Sequence, residues 1–308
     1  MYFNFNIHYQ TDGRPETDQS MLGLWFQPEP PRKQLFRVPG ASQTIIVNGT
    51  ELLTDSPGIK AEGTRVAIPP IPPYANSHEL IGVTGYTEAV TIYQLQPHAH
   101  YRGKDFQYTV VYPDGHEQTV LSVPKYDHRW QMAYELETPL KLPAGSKLVV
   151  TTHYDNSMMN MHNPDPSKTV YFRDQNQSWD EMFSPFIQYT IDDQSLDTQA
   201  TMSQQDKSLK LAEAVGCLQQ NASGSWILAH ASDLVLSETQ STSSVDLQAA
   251  QGKALGSRRY ELLGASVFAP ASHVREKVAV KGVLFEVGHQ SRLNVTSLQG
   301  VASACIGN

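Results

Sequence analysis

Two cysteines in 308 residues, no apolar run long enough to cross a bilayer and no surplus of positive charge are the absences that narrow the reading first. A spanning helix needs roughly 18 to 20 consecutive apolar residues, and no window of the sequence approaches that. The first ten residues, MYFNFNIHYQ, have neither the basic start nor the apolar stretch of a secretory signal, so the chain as given reads as carrying no span and no export signal of its own. Lys and Arg number 23 against 31 Asp and Glu, a net charge of -8. That balance argues against a nucleic-acid partner, because phosphate binding needs a basic surface that releases counterions. Up to residue 208 there are 15 basic and 24 acidic residues, and beyond it 8 and 7, so the acidity belongs to the first two thirds. With 40% apolar and only 18% charged residues, most of the chain is also excluded from the disordered class.

What is there is β-like. Short apolar or alternating runs end at turn residues, as in Thr44-Ile45-Ile46-Val47 before Asn48-Gly49 and Tyr108 to Tyr112 before Pro113-Asp114-Gly115. The length suits two domains. Residues 193–211, rich in Gln, Ser, Asp and Thr around Asp193 to Gln205, have no apolar periodicity and read as a linker. Beyond it, Val215–Leu218, Ser225–Leu228, Tyr260–Leu263, Lys277–Val287 and Arg292–Gln299 read as five strands, with a polar loop from Ser237 to Gln251, which suggests a small barrel of the OB type over 212–308. Cys217 and Cys305 fall in its first and last strands, where closure would bring them together as one disulfide and imply an oxidising compartment; two buried free thiols are the alternative. Sequons stand at Asn48, Asn221 and Asn294, the last inside a predicted strand.

Thr91 to Gly103, TIYQLQPHAHYRG, alternates so that Ile92, Gln94, Gln96, His98 and His100 are expected on one face of a strand, with Tyr93, Leu95 and Ala99 on the other. A His-x-His pair on a strand turns both imidazoles to one side, within reach of a single metal ion. Solvated histidines on a polar face are the plainer alternative. A third imidazole or a carboxylate would favour zinc, whereas a thioether favours reduced copper. Ser178 to Ile187 offers Met182, with Ser184 and Phe186 on its face, although a methionine in a β core is more often packing.

His98-Ala99-His100 followed by Arg102-Gly103-Lys104, with Asp180-Glu181-Met182 some eighty residues on, resembles the C-terminal half of the copper type II, ascorbate-dependent monooxygenases. Tyr126-Asp127-His128-Arg129-Trp130-Gln131, Leu142-Pro143-Ala144-Gly145-Ser146 and Tyr154-Asp155-Asn156-Ser157 are similar to the bacterial members. The resemblance covers about residues 1–192. It implies an all-β protein whose jelly-roll β-sandwich over 33–192 holds copper through His98, His100 and Met182, ahead of the OB-like barrel. That copper would bind dioxygen and hydroxylate a C–H bond of a small-molecule substrate. A second copper would supply an electron, and ascorbate or another donor would recharge both. Export to the periplasm or the extracellular space is usual in the family.

Departures from the family pattern carry information as well. Where peptide-hydroxylating members clamp a substrate carboxylate, this chain has Gln96, Ser184 and Phe186, so these line a substrate side unsuited to glycine-extended peptides. Residues 1–32 resemble the last strands of the family's N-terminal copper domain, in which His8 would ligate the second copper. No His-His pair occurs to complete that site, so an upstream domain is expected as a partner. Asp180 and Glu181 would order the start of the strand or remain solvated. The other readings are a non-catalytic copper-binding, adhesion or scaffold module, a zinc hydrolase using His98 and His100 with His128 or His153, and a soft second metal site in the loop His153 to His162, where Met158, Met159, Met161 and His162 crowd together.

Overall fold

The computed structural model of the chain describes residues 13–58, 60, 64, 66–173, 177–194, 196, 208–287 and 290–305. It is nearly all β, 44% strand against 6% helix. Residues 1–31 form one unit and residues 32–308 another; the elements below belong to the second.

Ten strands build a jelly-roll-type sandwich. They are β1 (Phe36–Pro39), β2 (Thr44–Val47), β3 (Thr50–Glu51), β4 (His78–Gly85), β5 (Val90–Gln96), β6 (Gly103–Val111), β7 (Glu117–Val123), β8 (Tyr134–Leu142), β9 (Lys147–Tyr154) and β10 (Phe186–Ile191). One sheet has the order β1-β10-β5-β8 and the other β3-β2-β4-β9-β6-β7. Between them lies a core fed by both, with Ile45, Leu80, Tyr108 and Val150 from the larger sheet and Ile92, Leu95, Leu142 and Ile187 from the smaller.

Strand period two explains the rest of the burial. Ile46, Ile81, Val111 and Val149 are the chain neighbours of Ile45, Leu80, Val110 and Val150, so they point to the opposite face. That face is not solvated, because a second core covers it. The continuous apolar runs of β2 and β9 are what a strand buried on both sides requires.

The cover is a five-stranded barrel formed by β11 (Lys210–Gln220), β12 (Trp226–Ala231), β14 (Arg258–Leu263), β15 (Lys277–Val287) and β16 (Gln290–Ala302), with the short β13 (Val235–Leu236) beside β11. It closes in the order β11-β12-β14-β16-β15 and back to β11, with β14 and β16 parallel and the other pairs antiparallel. Ala214, Val280, Leu293 and Val295 from the barrel share the second core with the sandwich residues. Polar contacts cross the same boundary: Lys147 Nζ donates to Gly264 O and Val295 O, both at 2.7 Å, and Asn294 Nδ2 donates to Val111 O at 3.1 Å and Gly145 O at 3.0 Å.

Several sequence expectations change. Ser237 to Gln251 is not a plain loop, because Ser243 caps the helix α1 (Ser244–Gly252) in a capping box with Asp246. Cys305 lies past the end of β16, yet it is joined to Cys217 of β11 in a disulfide. Asn294 is fully buried, so its sequon is inaccessible. The alternation in Thr91 to Gly103 is interrupted by a bulge between Ile92 and Gln94, which puts Ile92 and Leu95 in the same core. Strand β5 also stops at Gln96, so His98 and His100 sit on the connection to β6.

Candidate metal centre

The connection His98-Ala99-His100 is fixed by groups that approach it from three directions. Tyr126 Oη donates to Ala99 O at 2.7 Å and accepts from Ala99 N at 3.1 Å, which pins the residue between the histidines. Glu181 Oε2 accepts from His100 N at 2.7 Å and Oε1 accepts from Arg102 N at 2.6 Å. His98 O accepts from Ser184 N at 3.2 Å. Gly103 permits the turn, since a Cβ there would stand 2.7 Å from Ala99 Cβ and 2.9 Å from the Tyr126 ring. These bonds turn a short coil into a rigid cradle, and backbone held this way is what pre-orients ligands.

The imidazoles themselves meet edge to face with centroids 5.4 Å apart. His100 Nδ1 lies 2.9 Å from Asp180 O, a carbonyl that only accepts, so Nδ1 carries the proton. His98 Nδ1 lies 2.5 Å from Gln131 Oε1. The orientation of that amide is set by its nitrogen, which donates to His128 O at 2.8 Å, so His98 also carries its proton on Nδ1. In that tautomer Nε2 is the unprotonated nitrogen of each ring. A ring nitrogen hydrogen-bonded to a carbonyl while its mate keeps a lone pair is the usual state of a metal-ligating histidine.

The segment that carries Met182 is brought to the His98–His100 connection by its neighbours, for Glu181 bonds to His100 and Ser184 to His98. Met182 is buried, 6% exposed, and its carbonyl accepts from Tyr154 Oη at 2.7 Å. The next residue, Phe183, packs on β4 at Gly82, where a Cβ would come within 2.8 Å of the ring. Met182 and Ser184 precede β10, so they share no strand face with Phe186, contrary to the alternation expected from the sequence. Two imidazoles of defined tautomer therefore stand beside the segment that carries the buried Met182.

Glu181 is fully buried, which removes the solvated alternative. Burial pushes its carboxyl up to about 7, against the lowering effect of the Arg102 and His100 N–H donors and of the Arg102 charge. Arg102 is itself buried and donates to Trp179 O at 2.8 Å.

On the other side of His98 lie Gln96 and Phe186, paired across β5 and β10, with the Phe186 ring 6.0 Å from the His98 ring. Arg37 of β1 donates to Gln96 Oε1 at 2.7 Å and stacks its guanidinium 4.2 Å over Phe186. A cavity of about 390 Å³ opens near the site, lined by Pro97, Val123, Lys125, Tyr126, Asp127, Trp130, Met132 and Tyr134. Arg37, Tyr126 and Gln131 were not singled out as site residues by the sequence. The last two stand in a motif whose spacing says nothing of their reach back to Ala99 and His98.

The other sequence candidates sort differently. His8 lies outside the described residues. His153 pairs through Nδ1 with Asp105 at 2.8 Å and through Nε2 with Glu79 at 3.4 Å. His128 faces His162 and Tyr101 instead, with ring centroids at 4.9 and 4.8 Å. Met158, Met159 and Met161 are exposed rather than gathered.

No curated protein matches the chain. Residues 69–212 do match the family described as copper type II ascorbate-dependent monooxygenase, C-terminal domain. The matched segment contains the whole cradle, from the His98-Ala99-His100 connection to Met182 and Ser184, and runs past the sandwich into β11. Residues 69–212 are accordingly similar to the C-terminal domain of the copper type II ascorbate-dependent monooxygenases.

Proposed function

We propose that this domain holds one copper ion through His98, His100 and Met182 and hydroxylates a C–H bond of a small-molecule substrate, using dioxygen and an electron donor such as ascorbate. The observation that supports the reading is the pair of Nδ1 tethers, His98 to Gln131 and His100 to Asp180 O, which place the proton of each ring on Nδ1 and leave Nε2 as its unprotonated nitrogen. Copper bound there would supply dioxygen activation and electron transfer. The chain's own residues do the rest. The Met182 thioether favours the reduced state. Glu181 and Tyr126 hold the ligand loop, so little reorganisation accompanies binding. Gln96, Phe186 and Arg37 orient the substrate, Ser184 fixes the His98 carbonyl, and the cavity beside Trp130 receives an apolar part of it. A periplasmic or extracellular setting accords with the Cys217–Cys305 disulfide.

The test is an anaerobic Cu(I) competition titration of the wild type, Met182→Ala and His98→Ala/His100→Ala, followed by ascorbate-driven dioxygen uptake. One Cu(I) per chain is expected, abolished without the histidines and weakened at least about tenfold without the thioether, since outer and inner ligands typically act on this scale. Uptake above that of free copper is expected in the wild type alone. Tight binding that ignores these residues would overturn the ligand set. Tight binding without uptake would leave a copper-binding module in place of the oxygenase.

A further inference from the structure

A second group of candidate ligating side chains stands next to the first and shares no ligand with it. His162, Asp127 and His128 bring one nitrogen or oxygen each to within 4.8 Å of one another, and all three are partly buried. The two rings meet at 4.9 Å between centroids, tilted by 70°. His162 reaches this position because its loop is tied down: Asn160 Nδ2 donates to Tyr101 O at 2.9 Å and to Asp155 O at 2.8 Å, and Asn160 Oδ1 accepts from His162 N at 3.0 Å. From the facing side, Tyr101 packs edge-on against His128 at 4.8 Å. The Asp127 carboxylate also accepts three hydrogen bonds from Arg129, from its backbone N at 2.9 Å, Nε at 3.0 Å and Nη2 at 2.7 Å, but the Arg129 side chain is 65% exposed and yields to a cation at little cost.

We infer that Asp127, His128 and His162 form a binding site for a divalent transition-metal ion, copper(II) or zinc. The donor set is two imidazoles and a carboxylate with no thioether, so it selects the divalent ion where the His98–His100–Met182 set selects Cu(I). Three protein ligands leave at least one coordination position for water or a ligand. The two sites are joined covalently and through one side chain: Tyr101 follows His100, and Gln131 binds His98 with its oxygen and the His128 carbonyl with its nitrogen. The exposed methionines of the same loop take no part, although the sequence had grouped them with His162.

Zinc titration by calorimetry, on the full chain, separates this site from the first. The deciding background is His98→Ala/His100→Ala, in which the first site is absent whether or not its assignment is right. One zinc per chain is expected there, and adding His162→Asn should weaken it at least about 30-fold, with Asp127→Asn weakening it less. His162→Asn leaves the backbone bond to Asn160 intact, and unchanged thermal unfolding will show that the loop persists. Should the double-histidine background not fold, the Cu(II) electron paramagnetic resonance spectrum of the wild type loaded first with Cu(I) decides instead: two-nitrogen hyperfine structure is expected, falling to one in His162→Asn. No zinc bound in the background variant, zinc bound indifferently to His162, or a Cu(II) spectrum unchanged by His162→Asn would each overturn the site.

Discussion

Glu181 shows how one side chain can hold a site it does not enter. Its two oxygens accept from the N–H groups of half-buried His100 and buried Arg102. A buried donor left unpaired costs about 1–3 kcal/mol. Glu181→Ala is therefore expected to lower stability by about 2–5 kcal/mol and, through the freed ligand loop, to weaken Cu(I) binding by about 10–100-fold. Glu181→Gln keeps one acceptor oxygen and should recover a large part of both. Denaturant unfolding and Cu(I) competition on the two variants check this; an alanine variant of wild-type stability would mean that Tyr126 and Ser184 suffice to hold the loop. The sequence reading left Glu181 between an ordering role and solvation, because a carboxylate beside an aromatic-rich run carries no mark of which partners will reach it. The same holds for Gln131, whose amide fixes the His98 tautomer from a turn 33 residues away.

At the scale of elements, the larger sheet is unusual in being covered on both faces, and β9 pays for this with a buried lysine. Lys147 lies at the sheet–barrel boundary, where burial depresses its ammonium to about 7 in spite of the Glu117 charge. Its folded pKa is below the unfolded value of about 10.4, so the native state binds fewer protons between these limits. The stability from this group is fully present above the unfolded value and is lost as pH falls toward 7. Glu51, which bonds Ser297 and Leu298 across the same boundary, is raised to about 7 by burial, so its contribution is present below about 4.3 and lost as pH rises to 7. Unfolding free energy is thus expected to rise from pH 7 toward 10 by up to about 1.4 kcal/mol per unit, and Lys147→Met should flatten that limb. A limb unchanged in the variant would assign the rise to other groups. Strand existence was legible in the sequence: runs such as Thr44–Val47 and the five barrel strands follow from periodicity and turn residues. What covered the second face was not, since an apolar run reads alike for any cover. The bulge at Ile92/Gln94 breaks a pattern that the sequence shows intact, and α1 was hidden by its Ser, Thr and Gln content although Ser243-x-x-Asp246 spelled its cap.

For the molecule as a whole, the decisive fact is that Ile46, Ile81, Val83, Val111 and Val149 of the sandwich share one core with Leu218, Val278, Val280, Leu293 and Val295 of the barrel. Neither part can open this core without exposing the apolar surface of the other, at about 25 cal/mol per Å². Residues 32–308 are therefore expected to unfold as one cooperative unit, even though the linker composition around residue 200 suggests two. The disulfide ties β11 to the end of β16 and spans 88 residues, for which the chain-entropy account gives about 4–5 kcal/mol. In a cooperative unit that loss must be felt everywhere. Cys217→Ala/Cys305→Ala should lower the protection of the slowest-exchanging amides of β4 and β9 by the same free energy as those of β15 and β16, as native-state hydrogen exchange will measure. A local account of the disulfide instead predicts that the protection of the sandwich strands is unchanged. Equal loss in both sets would make the barrel part of the scaffold that keeps the His98–His100 cradle folded, and would tie the metal site's integrity to an oxidising compartment.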